Sequence, residues 1–301
     1  MLVAGILCFA LTALGLVWLV WRGPRQRPYP HYGYLGLAVI VVAEALMFQG
    51  RQPVATFFTP IVWTGYIAAV DAAVFALSGR SLLMSKPGEF LSAALLSIPL
   101  WLVFEAYNLR LQNWQYVGLP AHWLPRYLGY GWSFATIWPA ILETSQLLRA
   151  AGFWRGPARP LEFSSRSRTL WALAGAAMLL VPVLLPVGLA AYTFGLVWLG
   201  FFFFLEPLNL RIGAASLLLD LDDGDRSRFY SLLAAGAVCG ILWEFWNYWA
   251  TARWVYIFPI LQDLKVFEMP LPGFLGFPPF ALEIFAMYSF VVRWVGHVPE
   301  I

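Results

Sequence analysis

The chain has 301 residues, 61% of them hydrophobic and only 12% charged, with a mean hydropathy of +0.71 and a net charge of +3. Soluble domains carry roughly 25% charged residues and about 45–50% apolar ones. The composition therefore excludes an ordinary soluble domain, points to an all-α polytopic membrane protein, and gives no reason to expect a nucleic-acid partner.

Hydrophobic runs long enough to span recur at 2–21, 33–49, 56–78, 90–109, 130–150, 170–186, 189–206, 229–250 and 275–295. About 20 apolar residues cross a bilayer, and inside lipid such runs must be helices to bond their own backbone. The first run is apolar from residue 1, lacks a basic leader, and has Leu7 before Cys8 where lipoprotein processing wants a small residue. It reads as a retained helix. The sixth and seventh runs, divided only by Pro186–Gly188, form a tight hairpin.

Assigning connections alternately to two sides places fourteen Lys and Arg on one and five on the other. The positive-inside bias then puts the N-terminus outside and the C-terminus in the cytoplasm of a bacterial-type inner (plasma) membrane. The most basic connection, 151–168, is the midpoint. Residues 1–32 form an N-terminal helix and basic loop, and 33–150 and 169–301 form two four-helix units.

Those two units share a pattern. "FEAYNLRLQNWQY" and "WPAILE" in the first are echoed by "WEFWNYWATARWVY" and "PPFALE" in the second. Tyr116, Pro139 and Glu143 follow Trp114 by 2, 25 and 29 residues, and Tyr256, Pro279 and Glu283 follow Trp254 by the same offsets. One inserted residue aligns Glu105 and Asn108 with Glu244 and Asn247. A weaker echo joins "SGRSLL" (78–83) to "IGAASLL" (212–218). Four helices per unit keep both in one orientation, so the repeat is parallel.

Glu105 and Asn108, like Glu244 and Asn247, stand at i and i+3 on one helical face. Glu143 and Glu283 each follow a proline by four residues, where a lost backbone donor bends or starts a helix. Two-fold placement is expected to bring the four carboxyl groups and two amides to a shared interior. None has a Lys or Arg beside it, and a carboxyl group in hydrocarbon without a counter-ion favours its neutral form. A neutral buried acid is suited to general-acid catalysis. Trp243 and Trp246, with Trp114, Tyr116, Trp254 and Tyr256, supply ring faces that attract cations. Acid protonation of a carbon–carbon double bond inside aromatic walls describes cyclisation or isomerisation of an isoprenoid drawn from the bilayer. Asn108 and Asn247 would orient the acid or hold a water.

This order, a helix acid, then W-x-Y, then proline followed by glutamate, twice in one polytopic chain, resembles the membrane-integral lycopene cyclases of the bacterial heterodimeric and fused fungal or archaeal type. The resemblance implies that Glu143 and Glu283 occupy the family's proline–glutamate position and Glu105 and Glu244 its upstream helix acid, in a carotenoid-modifying enzyme. This chain has "PAILET" and "PPFALEIF" where that family shows P-x-E-E.

Two other classes stay open. The repeated Glu and Asn groups could bind a proton or cation in a carrier, or bridge helices in a non-catalytic lipid-binding protein. Trp and Tyr near helix ends also form interfacial belts. Glu44, Asp71 and Glu206 are further acids in apolar runs. Of these, Glu206, with Asn209 at i+3, is the one that could join the site, and the repeat includes neither Glu44 nor Asp71. "DLDDGDRSR" (220–228) lacks metal-ligand spacing and reads as a solvated loop whose Asp225 or Ser227 caps the next helix. Cys8 and Cys239 form no disulfide or thiolate motif, and His31, His122 and His297 lie in loops or near the end, so no metal is expected. No G-x-G-x-x-G follows a strand, and no cofactor is expected. Connection 251–274, rich in Pro and apolar residues, suits a cover over a lipid-soluble substrate. Self-association is compatible with everything above.

Overall fold

In hydrocarbon each peptide N–H and C=O must find its partner within the chain, and the fold answers this almost entirely with helices. The computed structural model describes residues 1–156 and 158–295, so His297 lies outside the described residues. In chain order the elements are α1 (Leu2–Arg22), α2 (His31–Phe48), α3 (Phe58–Ser78), α4 (Leu82–Ser85), α5 (Pro87–Leu111), β1 (Trp114–Val117), α6 (Trp123–Ala135) and α7 (Ile137–Ala150). There follow α8 (Ser165–Leu184), α9 (Val187–Ala190), α10 (Phe194–Ile212), α11 (Leu217–Asp222), α12 (Ser227–Trp249), β2 (Arg253–Tyr256), β3 (Lys265–Val266), β4 (Met269–Pro270), a 3₁₀ turn (Leu271–Gly276) and α13 (Phe277–Trp294).

Among the described residues eight helical segments are long and apolar enough to cross a membrane. The chain is an all-α polytopic membrane protein. The fifth of the nine expected spans, 130–150, is divided at Thr136 into α6 and α7. The interior is built from α3, α7, α12 and α13, whereas α1, α2 and α8 turn Leu and Val outward.

Two helix pairs cross at glycines. A methyl at Gly36 would lie 2.5 Å from the Gly65 carbonyl oxygen, and one at Gly175 would lie 2.8 Å from that of Gly200. Small residues let backbones approach where lipid provides no hydrophobic drive between helices. The α2–α3 and α8–α10 pairs are thus joined by the same device.

The divided span creates a polar problem, because interrupting a helix frees backbone groups that lipid does not solvate. Ser97 of α5 resolves it: its hydroxyl donates to the Phe134 carbonyl and accepts from the Trp138 N–H. The second unit breaks at the corresponding place, between the 3₁₀ turn and α13. There Pro278 stands where Trp138 does and has no N–H to satisfy. Gly236 replaces Ser97, and a Cβ on it would meet the Phe277 carbonyl oxygen at 2.2 Å. One unit fills its break with a hydroxyl, and the other removes the donor and closes the gap.

A second shared device overturns one sequence expectation. Asp71 accepts from the Ser81 hydroxyl (2.9 Å) and the Leu83 N–H (2.9 Å). Glu206 accepts from the Ser216 hydroxyl (2.8 Å) and the N–H groups of Leu217 (2.6 Å) and Leu218 (3.3 Å). Each carboxyl group caps a short helix, α4 or α11, from a position ten residues before the serine. Asp71 and Glu206 are therefore a matched pair, which only the "SGRSLL" and "IGAASLL" echo hinted at. Glu206 lies inside α10 and is fully buried.

The aspartates of 220–228 are engaged: Asp222 with Arg168 of α8 (2.6 Å), Asp220 with Arg228 (3.0 Å), and Asp225 accepting from the Ser227 N–H (2.7 Å).

Ser97→Ala leaves the Trp138 N–H buried and unpaired, so it should destabilise the protein by about 1–3 kcal/mol. Thermal unfolding in detergent, beside an exposed lipid-facing substitution such as Leu109→Ala, measures this.

Candidate active site

The site begins with two four-residue strands. β1 follows α5 and β2 follows α12, and they pair antiparallel with Trp114 opposite Tyr256 and Tyr116 opposite Trp254. Exchanging the strands maps each W-x-Y onto the other, so the ribbon is symmetric in sequence and in register. Residues two apart share a face, as do residues directly opposite. All four rings consequently lie on one face, while Gln115 is exposed on the other.

Both strands are fastened to their helix ends in the same way. The Asn108 amide donates to the Trp114 carbonyl (2.8 Å), and its oxygen accepts from the Trp114 N–H (3.2 Å) and the Asn113 N–H (2.8 Å). Asn247 makes the same two bonds to Trp254, at 2.8 and 3.0 Å. Their amides are therefore spent on backbone. This corrects the expectation that Asn108 and Asn247 contact a substrate or water: they position the ribbon.

The glutamates three residues earlier reach the same strands. The Tyr116 hydroxyl donates to Glu105 Oε1 (2.5 Å), and the Tyr256 hydroxyl donates to Glu244 Oε1 (2.9 Å). Beyond this the couples differ. Glu105 Oε1 also accepts from the indole N–H groups of Trp101 (2.9 Å) and Trp114 (3.2 Å). Glu244 is fully buried, its Oε2 has no hydrogen-bond partner among the described residues, and the Trp254 indole donates to the Tyr256 hydroxyl (2.9 Å) instead. Burial, reinforced by the adjacent carboxyl group, pushes the Tyr116 and Tyr256 phenols well above their ordinary range. Both hydroxyls keep their protons at neutral pH.

Beneath the ribbon lies an apolar cavity of about 130 Å³, lined by Trp101, Trp114, Tyr116, Trp243, Trp254 and Tyr256, with Tyr130, Phe134 and Phe280 behind them. A second cavity, about 300 Å³, lies across the Trp114–Tyr256 rung. The first runs along the start of α3 and along α6, and the second along the start of α10 and the 3₁₀ turn. These are corresponding elements of the two units. The 251–274 connection forms β2, the β3–β4 hairpin and that 3₁₀ turn, and so walls the second cavity.

The structure separates the expected cluster of four carboxyl groups. Glu105 and Glu244 stand one hydrogen bond behind the cavity wall, through Tyr116 and Tyr256. Glu143 and Glu283 do not reach it. Glu143 is buried in α7 against the Asp71 carboxyl group of α3, within hydrogen-bonding reach of it. Glu283 accepts from the Phe201 N–H of α10 (2.9 Å). Helices α7 and α13 begin beside the cavity, at Ile137 and Phe277, but these acids lie nearly two turns further on and face neighbouring helices. Trp246 is displaced too. It donates to Glu44 (2.9 Å) and lines a lateral groove between α1, α2, α3 and α12.

Sequence reasoning missed Trp101, Tyr130, Phe134, Trp198 and Phe280 as lining residues. For Trp101 a signal existed, since it precedes Glu105 by one helical turn. Among the described residues no cluster of His, Cys, Asp and Glu is placed to hold a metal, and no ion pair reaches any of the four glutamates.

Comparison with protein-family models, curated proteins and solved structures finds no match. The likeness to the membrane lycopene cyclases rests on the motif order alone.

Removing a clamp by Asn247→Ala should loosen β2 without unfolding the bundle. The Trp254 amide loses a bond worth about 1–3 kcal/mol, so its hydrogen exchange should quicken roughly 5- to 150-fold, measured by mass spectrometry on the detergent-solubilised protein.

Proposed function

We propose that this protein is a membrane-embedded acid–base catalyst that isomerises or cyclises an apolar isoprenoid lipid by protonating a carbon–carbon double bond. One observation carries the reading: two Glu–Tyr couples back onto the same aromatic cavity, through Tyr116 and Tyr256, and its lining is mostly apolar. Aromatic faces stabilise a carbocation when water is absent.

The unequal bonding of the couples suggests a division of labour. Indole N–H groups only donate, so the two on Glu105 make it the acceptor. Glu244, with a free oxygen and one bonded phenol, is the donor. With Glu244 protonated and the bond between them reversed, so that the acid donates to the phenol, Tyr256 gives its proton to an olefinic carbon and takes the Glu244 proton in return. A neighbouring double bond attacks the cation, and the proton lost from the product passes through Tyr116 to Glu105. One proton enters the substrate and one leaves it, so the product is an isomer; release of the Glu105 proton to water and uptake of one by Glu244 then restore the starting state. Asn108 and Asn247 act as positioning residues. In this reading the ribbon faces outward, the basic end faces the cytoplasm, and the N-terminus is outside a plasma membrane.

The rival reading, a proton- or cation-coupled carrier, draws on Glu143 and its carboxylate neighbour Asp71, which no cation accompanies in the core.

Glu244→Gln and Tyr256→Phe should each lower turnover by about 10²–10⁴-fold with the protein still folded by size-exclusion chromatography. The readout is product formation from linear polyenes in proteoliposomes, screened first with the native protein. Full conversion by both variants would sink the proposal, and so would cation- or proton-driven uptake of solute by proteoliposomes with no lipid conversion.

A further inference from the structure

The end of the bundle opposite the ribbon holds a cavity that the chemistry above does not use. It is open, about 680 Å³, and lies between the Arg80–Leu82 turn, the last turns of α7, Arg155 and the loop after α11. That volume is within the range of small-ligand pockets. Four cations line it, Arg80, Lys86, Arg149 and Arg155, against two carboxylates, Asp223 and Asp225.

Some of these charges are already occupied. Lys86 pairs with Glu89 at 3.3 Å, and Arg155 donates to the Arg149 carbonyl at 2.8 Å. The guanidinium groups of Arg80 and Arg149 and the amide of Gln146 make no hydrogen bond among the described residues. Arg149 is half-buried and feels like charges from Arg228 and Arg155 as well as the opposite charges of Asp225 and Asp220.

The second unit shows that packing does not demand these side chains. Counting from the matched prolines, Ala286 stands where Gln146 does and Ser289 where Arg149 does. Between the matched turn glycine and serine, the second unit has Ala214 and Ala215 where the first has Arg80. The same architecture closes there with small residues. Unspent guanidinium groups around a broad cavity, in one unit only, suit an anion with several oxygens, since the planar fork engages phosphate oxygens in pairs.

We infer that this cavity binds a phosphate ester, its phosphoryl or diphosphoryl oxygens held by Arg80, Arg149 and Arg155 with Gln146 donating an amide N–H. The ester is either a soluble compound or a lipid headgroup at the membrane surface. The site does not depend on the reaction at the ribbon end.

The test uses the full chain in nanodiscs. In one arm, inorganic pyrophosphate is titrated by calorimetry into protein in zwitterionic lipid. In the other, thermal stabilisation is followed as phosphatidic acid replaces part of that lipid. Binding in the first arm identifies a soluble source, and an effect confined to the second identifies a lipid headgroup. In whichever arm responds, Arg149→Gln and Arg80→Gln should each weaken the effect about ten-fold, whereas Arg51→Gln, at the ribbon end, should leave it intact. Arg149→Lys retains the charge and guards against a fold defect, with unliganded unfolding temperatures as the check. No response in either arm, or equal responses from native, Arg149→Gln and Arg80→Gln proteins, overturns the inference.

Discussion

Two strands of four residues, paired antiparallel at one end of a helical bundle, organise the rest of this molecule. An isolated two-stranded ribbon is marginal in water, and this one persists because Asn108 and Asn247 bind both backbone groups of the first residue in W-x-Y. The clamp fixes where each helix hands over to its strand. The pairing in turn fixes which faces the rings adopt, and the rings form the roof of the apolar cavity. Glu105 and Glu244 complete the arrangement by tying each tyrosine to the helix it follows.

The buried acids illustrate why an intramembrane carboxyl group is only a starting point for a functional argument. Asp71 and Glu206 satisfy the first N–H groups of α4 and α11, a capping task that a membrane fold imposes wherever a helix restarts. Glu283 bonds an N–H of α10. Glu105 and Glu244 differ from these because their partners are the aromatic side chains that line the cavity beneath the ribbon. Hydrogen-bond destination, rather than burial, separates the two groups.

The two units solve shared problems with different residues. A hydroxyl at Ser97 fills the break that Gly236 and Pro278 close by omission, and charged or amide groups at the basic end of the first unit have alanine or serine at the matching sequence positions of the second. Such differences are informative, because the common architecture removes packing as their explanation. They leave the ribbon end nearly symmetric and the basic end strongly unequal.

Much of this was legible in the chain. Composition and run length determined a polytopic helical protein, because lipid permits few alternatives, and rare residues at constant offsets gave a repeated pattern even among look-alike apolar helices. The tie between Glu, Asn and W-x-Y was visible as a spacing, though its content was not: the asparagines bind backbone rather than ligand, which depends on where the chain turns after α5 and α12. Pairing of β1 with β2, 142 residues apart at the Trp114–Tyr256 rung, had no local signal. Only the tertiary structure decided which acids reach a cavity, since i and i+3 spacing sets the face of a helix while the neighbouring helices decide what that face meets.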